Sequence, residues 1–160
     1  METIGGAIVV GVDGSDSGRR ALRWAAGQAA TGGNELDAVI AWSFEPYAYP
    51  GVDSGQAART RAERILAVEV AAVVAELPSA PTIRQLAIEG TPARVLVEAA
   101  GQARMLVVGS HGHGKLFDTL LGSVSTACVR HAVCPVVVVP PDRELPRHAA
   151  PRSETAAALY

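Results

Sequence analysis

Short apolar runs alternate with amphipathic stretches along this chain, and that alternation limits its possible folds more than any other feature. Ala7–Val12 (AIVVGV), Leu36–Trp42 (LDAVIAW), Met105–Gly109 (MLVVG) and Val136–Val139 (VVVV) are rich in β-branched residues. Each is short for a helix and is followed by Asp, Ser or Pro, so each reads as a strand. Between them, Leu22, Ala25 and Ala29 recur at i, i+3 and i+7, and Gly32 and Gly33 end the pattern. Leu66, Val70, Val73 and Leu77 mark one face of a longer helix that stops at Pro78, and Val124, Cys128 and His131 mark another. Thr82–Ile88 alternates more weakly, as an edge strand would.

Helix starts are also legible. Asp16 or Ser17 is expected to cap the first helix. Thr91 caps the third, with Pro92 at the first helical position, and that helix is expected to run to about Gly101. Strands alternating with helices imply right-handed crossovers and a parallel sheet covered on both faces, a doubly wound α/β fold. Met105–Gly109 contains no polar residue, which suits a strand buried on both sides. With the first and fourth strands central, the expected order is 3-2-1-4-5, and a switch point falls between strands one and four.

A length of 160 residues suits one domain, expected over residues 1–141, with 142–160 as a Pro-, Arg- and Ala-containing tail without a core pattern. Hydrophobic residues at 49% against 19% charged support a packed core. A net charge of −2 gives no footprint for nucleic acid or an anionic membrane, so neither is an expected partner. The start METIGGAIVV has Glu2 and no basic leader, and no run is long enough for a membrane span, so a cytoplasmic location is expected. Cys128 and Cys134 lack the spacing of a disulfide framework or zinc site and read as small buried hydrophobes.

The Gly-rich stretch Val107–Ser125 (VVGSHGHGKLFDTLLGSVS) follows the fourth strand. Gly109–Lys115 approaches the phosphate loop GxxxxGK[ST], but Leu116 replaces the hydroxyl that would hold magnesium, which argues against a P-loop NTPase. Neither glycine turn contains the GxGxxG dinucleotide fingerprint. A helix beginning after Gly122 instead leaves the N–H groups of Ser123, Val124 and Ser125 at its positive end, where an anion is favoured. Positive φ at Gly109 and Gly112 would form a second anion-binding concavity facing it. Asp13, at the end of strand one, suits a ribose hydroxyl or a metal bridging phosphates. On local grounds alone, the glycines turn the chain and Ser123 caps the helix, so both readings stand at this point. His111 and His113 have no third ligand nearby and give no metal site of their own.

The spacing Gly109, two residues, Gly112, nine residues, Gly122, Ser123 resembles the universal stress protein family. The resemblance extends to AIVVGVDGSDSGRRALRWAA, EGTPARVLVEAA and LLGSVSTACVRHAVCPVVVVP. It implies a Rossmann-like, adenine-nucleotide α-hydrolase-like fold of five parallel strands, and the branch of the family that binds ATP. It further implies that Gly109, Gly112, Gly122, Ser123, Val124 and Ser125 contact triphosphate and ribose, with Ser110, His111, His113, Gly114 and Lys115 in the intervening turn. Gly11, Val12 and Asp13 match the family's turn on the ribose or adenine side. Ala41 and Trp42 stand where adenine is expected, and Trp42 is a candidate to stack on it. Magnesium or manganese would accompany the nucleotide, with Asp13 reaching a metal only through it. No base for rapid hydrolysis can be named beyond Asp13, so turnover, if any, is expected to be slow. The implied role is an ATP-dependent stress sensor or switch, homodimeric through Val136–Val139. A cyclic AMP-binding protein and a ligand-independent dimeric interaction module are the alternatives.

Overall fold

The computed structural model describes residues 6–44, 55–112 and 121–141. Five strands, β1 (Ile8–Gly11), β2 (Leu36–Trp42), β3 (Ile83–Glu89), β4 (Met105–Gly109) and β5 (Val136–Val139), pair in parallel in the order β3-β2-β1-β4-β5. This is the expected doubly wound arrangement, with edge strands β3 and β5. Helices α1 (Asp16–Gly32) and α2 (Gly55–Glu76) cover one face, and α3 (Pro92–Ala99) and α4 (Ser123–His131) cover the other. Two cores follow from this layering. Val10, Leu22, Ala38, Leu66 and Val107 are buried on the α1–α2 side, and Val9, Val39, Leu96, Val108 and Cys128 on the α3–α4 side. Burial raises the pKa of the Cys128 thiol, which behaves as the apolar residue it was expected to be.

The cap of α1 differs from the sequence expectation. Ser15, rather than Asp16 or Ser17, is the N-cap, and its hydroxyl accepts from the Gly18 N–H at 3.0 Å. Asp13 Oδ1 accepts both the Ser15 N–H and its hydroxyl, so the Ser15 proton is turned away from the helix and a lone pair faces Gly18. Gly33 closes the other end in the left-handed conformation, φ 64°, as a helix C-terminal glycine should. At α3, Thr91 and Pro92 take the expected positions, but the helix ends at Ala99.

Helices α1 and α2 are joined by a two-pronged ion pair. Arg19 Nε and an Arg19 terminal amine each donate to Glu69 at 2.7 Å, with the carboxylate almost wholly buried. These bonds hold the Glu69 carboxyl below its ordinary 4.5, so the pair stabilises the fold above that pH and is lost as pH falls through the lower folded value. Glu69→Gln is expected to lower the melting temperature by a few degrees at pH 7. The difference from the parent should shrink in melting curves recorded progressively below pH 4.5.

Candidate functional site

The helix following β1 packs on one face of the sheet and the helix following β4 on the other, so a cleft opens at the carboxyl ends of these neighbouring strands. Its volume is about 310 Å³. The floor comes from Gly11, Val39, Ala41 and Val108, and one wall from Pro92 and Leu96 of α3. Val12, Asp13 and Gly18 after β1, and Gly109, His111, Gly112 and the segment Gly122–Ser125 after β4, complete the lining. Most of the expected site residues therefore meet at one place.

Alternation along β2 gives Ala41 a particular role. Val12 donates its N–H to the Val39 carbonyl at 2.8 Å, and Gly90 donates to the Trp42 carbonyl at 2.8 Å. Val39 and Ala41 thus turn their peptide groups toward β1, whereas Trp42 turns its own toward β3. Strand β1 has ended by Ala41, so a backbone donor and an acceptor face the apolar part of the cleft. The same alternation corrects the expectation for Trp42, whose indole packs on the α1–α2 side of the sheet and does not line the cleft.

The glycines act differently from expectation as well. Among the described residues, positive φ occurs only at Gly14, Gly33 and Gly90, so Gly109 and Gly112 do not provide left-handed turns. They provide close approach instead. A Cβ on Gly109 would lie 2.8 Å from the Ser17 carbonyl carbon and oxygen, and one on Gly112 would lie 3.0 Å from Asp13 Oδ2. The first turn of α1 rests directly on the exit from β4. At Gly11 a Cβ would meet Leu96 Cδ1 at 2.8 Å, so α3 also sits against bare backbone.

The part of the cleft beside α4 is built from backbone. Gly122, not Ser123, is the N-cap of α4, and no side-chain hydrogen bond caps the helix. Its first-turn N–H groups stand at the cleft, with the positive end of the helix dipole. Gly122 donates its N–H to the Ser110 carbonyl at 2.7 Å. Ser110 is buried behind the cleft wall, where its hydroxyl meets His111 Nδ1 at 3.1 Å. The His111 N–H donates to Ser17 Oγ at 3.4 Å. His113, Gly114 and Lys115 lie outside the described residues. Among the described residues, no three His, Cys, Asp or Glu side chains group as a metal site, and no helix is long and apolar enough to cross a membrane.

Residues 6–140 match the family model described as the universal stress protein family. The chain belongs to that family. A universal stress protein of Mycobacterium tuberculosis is 41% identical over 132 residues, 82% of this chain and 44% of that protein. The chain thus spans less than half the length of the curated relatives it matches. A universal stress protein solved in complex with cAMP is 30% identical, with a TM-score of 0.62 over 86% of this chain and 98% of that one. The universal stress protein from Archaeoglobus fulgidus in complex with dAMP is 25% identical, with a TM-score of 0.62 over 85% and 98%.

Sequence reasoning did not name the apolar contributors Val39, Val108, Pro92 and Leu96, nor Gly18. A signal for α3 existed: the Gly90-Thr91-Pro92 start puts its first turn at the carboxyl edge of the sheet, beside the switch point. The packing of the two glycines in this family member predicts unequal costs. Gly109→Ala should destabilise by about 2 kcal/mol or more, because rigid Ser17 backbone must move. Gly112→Ala should cost less than about 1 kcal/mol, since only a carboxylate must yield. Urea denaturation of the two variants measures the difference.

Proposed function

We propose that this chain binds ATP together with magnesium or manganese and acts as a nucleotide-dependent switch in the response to stress. The observation that carries the reading is the uncapped N-terminus of α4, which adjoins the Gly109–Gly112 turn and opens into the cleft. The first-turn N–H groups of α4 suit phosphate oxygens, and the absence of side chains at Gly112 and Gly122 keeps the approach to them open. The base fits the apolar end, between Leu96 and the β2 floor, with the Ala41 peptide group offering one donor and one acceptor to its edge. Asp13 stands where ribose or a phosphate-bound cation would lie; one of its oxygens is held by Ser15 and the other lies at Gly112. A carboxylate there opposes bare phosphate and favours a nucleotide that arrives with its cation. The residues fit the group, and the bound nucleotide would supply differential affinity between two states of the surrounding loops.

Mass spectrometry of material released from the purified protein should find an adenine nucleotide, and calorimetry with magnesium should detect ATP binding. Gly122→Trp should abolish it by filling the cradle. If the parent binds neither ATP nor cyclic AMP, the nucleotide reading fails. Cyclic AMP is the second reading, favoured by the relative solved with cAMP and by the match of one phosphate to one helix terminus. A strong preference for the cyclic ligand in competition would replace ATP with it.

The proposal includes a homodimer through β5. Leu106 and Ser110 donate to Pro135 and Val139, so those residues and Val137 pair with β4, and Val136 and Val138 direct their peptide groups outward. Val129 and Val133 beside this edge are exposed, the latter at 79%. Proline is compatible with an edge position whose N–H points away from the sheet. Val138→Pro should therefore shift sedimentation from dimer to monomer, whereas Val138→Ala, which loses the same half-buried packing on the α3–α4 core but keeps the outward N–H, should stay dimeric.

A further inference from the structure

We propose that Ser125 is a positioning residue for the anion-binding end of the cleft, acting through the Ser110 carbonyl and not as a ligand. This rests on the proposed nucleotide reading and assigns Ser125 a role different from phosphate contact. Ser125 occupies the third position of α4 and is 2% exposed. Its hydroxyl lies 3.1 Å from the Ser110 carbonyl and 3.0 Å from the Gly122 carbonyl. Bonding to Gly122 is the ordinary back-bond of a helical serine. Bonding to Ser110, fifteen residues earlier, is not, because it reaches out of the helix to the exit of β4.

The Ser110 carbonyl receives two donors, the Gly122 N–H at 2.7 Å and the Ser125 hydroxyl. Its own N–H donates to Val139 at 3.0 Å, which fixes it to β5. The backbone of one residue therefore ties the N-terminus of α4 to the sheet. With its hydroxyl proton committed to these two carbonyls, Ser125 has no proton to give a phosphate. Its position also matters for what it does not do. Glu or Gln at the third helical position commonly reaches back to the N-cap N–H in a capping box. Serine is too short to do so and donates elsewhere, which leaves the Gly122 N–H to Ser110 and the next N–H groups to the cleft. The alignment of those donors with the Gly109–Gly112 turn is then set before any ligand arrives, as preorganised anion sites require.

Ser125→Ala tests this in two ways. In the ligand-free protein, amide hydrogen exchange at Gly122 should accelerate by about two- to tenfold, the range for one hydrogen bond, while exchange in β1 and β2 stays as in the parent. In calorimetry, ATP affinity should fall by a factor in the same range, while adenosine, which lacks phosphates, binds as before. Unchanged exchange at Gly122 would overturn the proposal, as would an equal loss for ATP and adenosine. If the parent binds neither ligand, the nucleotide reading fails, and the exchange measurement alone decides whether Ser125 holds the helix end in place.

Discussion

The cleft depends on one constraint: β1 and β4 lie side by side, yet the helices that follow them go to opposite faces of the sheet. Parallel strands need long crossovers, and when two neighbouring crossovers diverge, the backbone at the strand ends is left without a covering helix. The exits of β1 and β4 must then be held by contacts between distant parts of the chain. At Gly109 the first turn of α1 comes so close that only a residue without Cβ fits. At Ser110 the chain is held between β5 and the start of α4. The cleft is consequently a product of helix packing on both faces, and close contacts made by its own lining residues, Gly11 with Leu96 and Gly109 with Ser17, fix its shape.

That origin explains the chemistry of the site. A chain with net charge −2 has no field that would gather polyanions, and among the described residues the cleft lining contains neither lysine nor arginine. In the proposed function, attraction comes instead from oriented N–H groups, whose dipoles are already aligned and lose little on binding. Such groups recognise phosphate oxygens through direction and spacing. The apolar end complements them, since Val39, Ala41, Leu96 and Val108 can bury a flat base. Arginines are used elsewhere. Arg19 and Arg23 join α1 to α2 through Glu69 and Glu76, and Arg84 pairs with the buried Asp37 on neighbouring strands.

Much of the fold was legible because strand and helix periods reflect local burial. The run of apolar residues in β4 and the weaker alternation in β3 give their central and edge positions directly. What was not legible depended on pairs distant in sequence. Gly109 reads as a turn residue until Ser17 is placed against it, ninety-two positions away by number. Ser15 becomes the cap of α1 because Asp13 turns its hydroxyl, a choice the run Ser15-Asp16-Ser17 leaves open. Trp42 was closer to reach. Once Ala41 is assigned to the cleft face, a two-residue period sends Trp42 to the other.

Gly122 shows how a small local cost can be retained for an open site. A serine at the N-cap would satisfy one of the first-turn N–H groups of α4, but replacing such a cap by glycine costs only a few tenths of a kcal/mol. The same serine would bring a Cβ to 3.3 Å from the Ser110 carbonyl and 3.5 Å from the His111 Cα, between the two walls. Its oxygen would also accept an N–H that the proposed nucleotide binding uses. The helix retains other support: Cys128 is fully buried on its inner face, and Arg130 and His131 stand in its last turn, where positive charge complements the dipole. With the far end and inner face of α4 secured, its near end can remain uncapped, and the bond from Gly122 to Ser110 keeps that open end from fraying.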